Sequence, residues 1–172
     1  MRAINILTTL TLFSLASAQA TVYLIRHGEK PDSGDGLSSQ GEERAQCLTN
    51  VFGPSSGYDI DYIMAQTPQS DGSQQRPYDT VVPLANELGL TIDTSCQRDD
   101  QDCVAGVVEA YSGPGNILIC WEHDALHDIV KALGDKNAPK YDSDDYDIIW
   151  TDPYPYSDIT DKSSENCPGL DN

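Results

Sequence analysis

Cations are scarce in this chain. Ten Lys and Arg stand against 28 Asp and Glu in 172 residues, a formal charge of −18. That imbalance argues against polyanionic partners, so neither nucleic acid nor an anionic membrane surface is expected. Any anion the protein binds must meet a local basic pocket. The sequence also lacks an Asn-x-Ser/Thr sequon, and with it any signal for N-glycosylation. No CxxC pair occurs, and the three histidines have no matching cysteine spacing, which leaves little support for a zinc site. Beyond the first twenty residues no apolar run is long enough to cross a membrane. Nothing repeats internally, and no composition shift marks a domain boundary.

What is present begins with MRAINILTTLTLFSLASAQA. A basic Arg2, an apolar stretch from Ile4 to Leu15 and small residues at Ala16, Ala18 and Ala20 form the pattern of a secretory signal peptide. The expected organisation is therefore a signal peptide over 1–18 and a single domain over 19–172, with cleavage after Ala20 nearly as suitable. Loss of Arg2 makes the mature chain one unit more negative. It is expected to be soluble and extracellular.

In that oxidising setting most of the five cysteines should pair. Cys96 and Cys103 flank the polar loop QRDDQD and suit a local bridge. Cys120 lies mid-strand in the apolar run NILICW and reads as a buried free thiol used for packing. Cys47 is then left for Cys167, which would tie the C-terminal tail to the body.

Strand and helix patterns alternate. TVYLI, YDIDYIMAQ, LTIDTS, NILICWEH and DYDIIW read as strands. SSQGEERAQCLTNVFG reads as a helix capped by Ser39, with Ala45, Leu48, Val51 and Phe52 on one face. RPYDTVVPLANELG, DDQDCVAGVVEAY and DALHDIVKALG read as further helices. Such alternation implies a three-layer α/β/α sandwich around a mostly parallel central sheet. The tail from Tyr141 holds nine acidic residues against one lysine, and four tyrosines. It reads as a strand followed by an irregular, solvated wrap.

In open α/β sheets ligands bind beyond the carboxyl ends of the strands. Two strands here run into histidine, YLIRHG and ILICWEH. If both are central and parallel, His27 and His123 emerge on one edge, with Arg26 beside the first. Arg76 opens the helix that follows the second strand, on the same edge. Two guanidiniums grip phosphate oxygens in a bidentate fork that lysine cannot offer.

At these residues the chain resembles a family. TVYLIRHGEK followed by LSSQGEERAQCL is similar to the RHG motif and first helix of the histidine phosphatase superfamily, which has the phosphoglycerate mutase-like fold. QQRPYDTVVPLANELGL resembles its second arginine segment, and NILICWEHDALHDIVKALG its second histidine segment. The resemblance implies a phosphomonoesterase that needs no cofactor or metal and takes a small phosphorylated substrate. His27 would be the nucleophile. Arg26, Arg76 and His123 would hold the phosphoryl oxygens, and a carboxylic acid would protonate the leaving group. Asp124 after the second histidine is as in the acid phosphatase and phytase branch. The long acid-bearing insertion of mutases is missing, which favours a hydrolase over a phosphoglycerate mutase-like phosphotransferase. A catalytically silent phosphate-binding protein of the same fold is the other reading.

Several neighbouring residues stay open. Glu29, grouped with the phosphate-binding residues, orients Arg26, contacts substrate or makes a strand-end salt bridge. His127 reads as structural or surface. For the proton donor, Asp124 is preferred to Glu122, because strand alternation would turn Glu122 away from His123; Glu109 and Glu87 come next. Asp124 as a plain helix cap is the competing reading. Nothing in the sequence sets the oligomeric state.

Overall fold

A computed structural model describes residues 19–171, so the expected signal peptide over 1–18 lies outside the described residues. The apolar run Val22–Arg26 forms β1, followed by α1 (Ser39–Val51), β2 (Ile60–Ala65), α2 (Arg76–Leu88), β3 (Ile92–Asp93) and α3 (Gln101–Ala110). Then come β4 (Asn116–Trp121), α4 (His123–Leu133), β5 (Ile148–Asp152) and β6 (Asp161–Ser164). The six strands make one sheet in the order β3-β2-β4-β1-β5-β6. β1 to β4 run parallel, while β5 is antiparallel to β1 and β6 antiparallel to β5.

Both faces of the sheet are covered, and the strand sequences show why. Along β4, Ile117, Ile119 and Trp121 enter one core, while Leu118 and Cys120 enter the other. Side chains alternate across a strand, so an uninterrupted apolar run is what a strand between two helical layers requires. Leu48 and Phe52 of the α1 segment join Val81 and Leu84 of α2 on the Cys120 side. Val104 and Val108 of α3 join Leu126, Ile129 and Val130 of α4 on the other. This is the expected three-layer arrangement. Among the described residues no helix is long and apolar enough to cross a membrane.

Two local expectations change. The first helix is capped by Ser38 rather than Ser39: Ser38 keeps an extended backbone and its side chain accepts the Gly41 N–H, which leaves Ser39 inside the helix. The tail is also more regular than its composition implies. Asp161–Ser164 carries no β-branched or aromatic residue, yet it pairs with β5 as an edge strand through backbone bonds that composition does not report.

Disulfides join Cys96 to Cys103 and Cys47 to Cys167, and Cys120 remains a buried free thiol. Burial pushes that thiol well above its ordinary pKa, so it is inert packing. Beside the second bridge lies an ionic knot. Arg44, on the buried face of α1 and 0% exposed, donates to both oxygens of Glu29, to Glu165 Oε2 at 2.6 Å and to the Leu170 carbonyl at 2.8 Å. It clamps the strand end after β1 to the C-terminal tail. At the opposite end of the sheet Asp152 is fully buried, and neither of its carboxylate oxygens has a protein partner. Burial, then the neighbouring Asp135 and Asp158, push its pKa up to about 7.

Candidate active site

β1 and β4 are adjacent parallel strands in register at Arg26 and Trp121, and the His27 N–H donates to the Trp121 carbonyl at 3.1 Å. The residues that follow each strand, His27 and His123, therefore leave the sheet on the same edge. β2 flanks β4 on its other side, and α2 opens with Arg76 shortly after β2 ends. Arg76 lies near enough to His27 to act on its charge. The four residues drawn from three sequence segments thus share one edge.

The backbone around His27 is tightly fixed. A side chain on Gly28 would stand 2.9 Å from the Gly41 carbonyl oxygen, and one on Gly41 would stand 2.4 Å from that of Glu29. Only glycines allow the first turn of α1 to sit against the chain just past His27. The Gly28 N–H donates to Thr80 Oγ1 of α2, whose hydroxyl donates in turn to the Arg76 carbonyl. His27 is 4% exposed, and its Nδ1 lies 2.7 Å from the Gly28 carbonyl. A carbonyl only accepts, so Nδ1 carries the proton and Nε2 the lone pair. Burial lowers the His27 pKa to about 4; the Gly28 bond opposes this, and the charges of Arg26 and Arg76 reinforce it. At neutral pH the residue is a neutral imidazole with a basic Nε2.

Arg26 is 2% exposed. Its Nη1 donates to the carbonyls of Ser143 and Asp145 at 2.6 and 2.9 Å, and its guanidinium carbon lies 3.6 Å from the centre of the Tyr146 ring. Its Nε is buried and has no partner. One side of the fork is thus anchored by the segment before β5, while the buried Nε–H has no partner among protein atoms. Arg76 donates through Nε and Nη2 to the carbonyls of Gly36 and Gly34. Glu29 instead turns to Arg44, as a strand-end salt bridge with both oxygens on that guanidinium.

Around His123 the side chains differ from the expected arrangement. β4 ends at Trp121, so strand alternation does not govern Glu122. Glu122 is the N-cap of α4, accepting the Asp124 N–H at 3.1 Å, and its Oε1 lies 2.7 Å from His123 Nδ1 without the alignment of a full hydrogen bond. Its Oε2 also accepts from Arg98 at 2.6 Å. Burial raises the Glu122 pKa, but the Arg98 bond and the charges nearby outweigh it, so the group is held more acidic than an ordinary glutamate. Asp124 is relieved of capping: its carboxylate is exposed and lies 3.3 Å from His123 Nε2.

Two concavities flank this edge. One of about 230 Å³ is lined by His123, Asp124, His127, Asp128, Lys140 and Tyr141. The other, about 680 Å³, follows residues 29–32 and 37–40 and ends on Tyr146, whose ring centre is 6.2 Å from that of His27. His127 itself is bound through Nδ1 to the Pro139 carbonyl. Among the described residues, Glu122, His123 and Asp124 alone gather enough ligand atoms for a metal, within 4.8 Å of one another, and Glu122 is already bonded to Arg98.

Tyr146, Arg98, Thr80 and Arg44 are the residues that sequence reading passed over. Arg44 had a signal, since it lies one turn before Leu48 on the apolar face of its helix. Tyr146, within an acidic run, had none.

No protein-family profile matches the chain, and no curated protein sequence matches it. Solved structures do. A candidate phosphohistidine phosphatase SixA from Agrobacterium tumefaciens superposes with a TM-score of 0.57 at 13% identity, covering 85% of this chain and 98% of that one. The protein histidine phosphatase SixA complexed with tungstate gives 0.55 at 13% identity, with coverages of 84% and 97%. A candidate alpha-ribazole-5'-P phosphatase from Escherichia coli gives 0.52 at 14%, with coverages of 85% and 97%. The chain has the α/β fold of these histidine phosphatases, the phosphoglycerate mutase-like fold.

Proposed function

We propose that the protein is a secreted phosphomonoesterase that works through a phosphohistidine on His27. One observation carries the reading: a neutral, buried imidazole with its lone pair on Nε2 follows directly on a buried arginine whose Nε–H has no partner. Such an N–H is costly to bury unless a ligand completes it, and a phosphoryl oxygen is the ligand an arginine fork fits best.

In the first step His27 Nε2 attacks phosphorus in line, an N–P bond forms, and the ester P–O bond breaks. Arg26, Arg76 and His123 hold the three non-bridging oxygens and stabilise their charge as the phosphoryl group passes across. Asp124, in its acid form, gives its proton to the leaving oxygen. In the second step the Asp124 carboxylate takes a proton from water, the water oxygen attacks phosphorus, and the N–P bond returns its electrons to Nε2. Glu122 is a poor donor because Arg98 holds it as the carboxylate. The fold, the two disulfides and the absence of a membrane-spanning helix among the described residues accord with a secreted enzyme. Hydrolysis of 4-nitrophenyl phosphate by the mature chain, with His27→Ala as control, tests the reading; turnover that survives in His27→Ala refutes it.

A further inference from the structure

The loop closed by Cys96–Cys103 lies outside every sequence motif, yet it delivers one side chain to the histidine edge. The Arg98 carbonyl accepts from Trp121 Nε1 at 2.9 Å, the Cys96 carbonyl accepts from the backbone N–H and the side chain of Thr67, and Asp100 caps α3 within the same loop. With its backbone fixed in this way, Arg98 reaches Glu122 Oε2 at 2.6 Å, while Glu122 Oε1 lies 2.7 Å from His123 Nδ1. The Glu122 backbone is held as well, since its N–H donates to Gln66 Oε1, and Gln66 is 2% exposed. A second interaction of Arg98, with Asp99, keeps the guanidinium at this spot.

We infer that Arg98 is a positioning residue for His123, acting through Glu122. An imidazole can present either nitrogen to a substrate, and the ring needs a partner on one nitrogen to fix which faces the phosphate. Glu122 Oε1 stands at ion-pair distance from Nδ1, and this electrostatic contact leaves Nε2 on the Asp124 side. Glu122 Oε2 also accepts the Asp124 N–H as the helix cap, and Arg98 adds the one side-chain bond from another part of the chain that sets the carboxylate's rotation. The chain Cys96–Cys103 loop, Arg98, Glu122, His123 makes the ring orientation depend on a disulfide loop whose Arg98 lies 24 residues before Glu122. The inference rests on His123 being a phosphate ligand of the proposed phosphatase.

The test combines kinetics with ¹H–¹⁵N correlation spectra of the imidazoles, which are few because the chain has three histidines. Arg98→Ala should shift the His123 ring signals and leave those of His27 and His127 in place. It should lower kcat on 4-nitrophenyl phosphate by about 10- to 100-fold, the scale of a misplaced group, with KM little changed. Arg98→Lys should restore part of both. Combined with Glu122→Gln, Arg98→Ala should cost no more than Glu122→Gln alone, because both act on one ring. Unchanged His123 signals in folded Arg98→Ala, or additive losses in the double variant, overturn the inference. Should Arg98→Ala not fold, the spectra of Arg98→Lys and Glu122→Gln decide in its place. A wild-type chain without phosphatase activity would defeat the functional reading, and the ring signals would still report on Arg98.

Discussion

Replacing Arg44 by methionine should unfold the protein at a markedly lower temperature. Arg44 has no exposed surface and answers two buried carboxylates, Glu29 through a bidentate contact at 2.7–3.1 Å and Glu165 at 2.6 Å. Methionine fills a similar volume, so packing loss is small and the cost is electrostatic. Removing one partner of a buried pair typically costs about 3–5 kcal/mol, because the remaining charge stays desolvated; at neutral pH that charge is chiefly Glu29, since burial pushes the Glu165 pKa up to about 8. At roughly 2–4 °C per kcal/mol for a chain of this size, the melting temperature should fall on the order of 10 °C. The deficit should grow as pH rises through about 8, where Glu165 also takes on its charge, and shrink below it. Arg44→Lys should fall between, keeping the charge without the fork. Calorimetric melting of the disulfide-intact protein at neutral and alkaline pH is the assay, with Cys47–Cys167 retained so that the tail stays tethered. A loss below about 1 kcal/mol at neutral pH, in the range of a surface pair, would refute the role given to Arg44.

Other perturbations reach the remaining parts. Arg76→Lys should lose activity on the order of tenfold or more, a charge-assisted bond's worth, and unchanged kinetics would take Arg76 out of the phosphate cradle. Asp124→Asn should fold normally and hydrolyse alkyl phosphates poorly, with aryl phosphates suffering less; if Glu122→Gln shows that pattern instead, the donor is Glu122. Because His27 titrates at about 4 rather than at its ordinary 6.5, the acid limb of kcat/KM should have its midpoint near 4, and a midpoint near 6.5 would mean the ring is not held as described. Asp152 has a raised pKa, so its protonated form stabilises the fold fully below about pH 4, and that contribution is lost as pH rises through about 7. Asp152→Asn should therefore match wild type near pH 4 and be the more stable protein above pH 7; equal stability at both would show that Asp152 finds a partner.

The helices, strands β1 to β5 and the histidine edge were legible because each rests on a local pattern. NILICW is apolar on both faces, RPYDTVVPLANELG is periodic, and two strands that run into histidine can share an edge only if they are parallel neighbours. Cys96–Cys103 followed from the same kind of local context, and Cys47–Cys167 by elimination. β6 was not legible, since a short edge strand is held by backbone pairing that Asp161–Ser164 does not advertise. Nor was the capping role of Glu122: β4 ends at Trp121, two residues before His123, which makes Glu122 a cap. Arg98 and Tyr146 depend on long-range contacts, across 24 residues to Glu122 and to the guanidinium of Arg26, and spacing along the chain carries no trace of either. Glu29 was ambiguous because its partner Arg44, 15 residues away, is visible only once α1 is docked on the strand end.

The phosphohistidine is the point on which the whole account turns. Rapid quench of the mature chain with ³²P-labelled phosphate monoester, under alkaline conditions that preserve a phosphoramidate, measures it directly. An acid-labile phosphoprotein should form before product release, map to the peptide containing His27, and be absent in His27→Ala. Label that persists in His27→Ala, or hydrolysis without any trapped intermediate during rapid turnover of the wild-type chain, would contradict it.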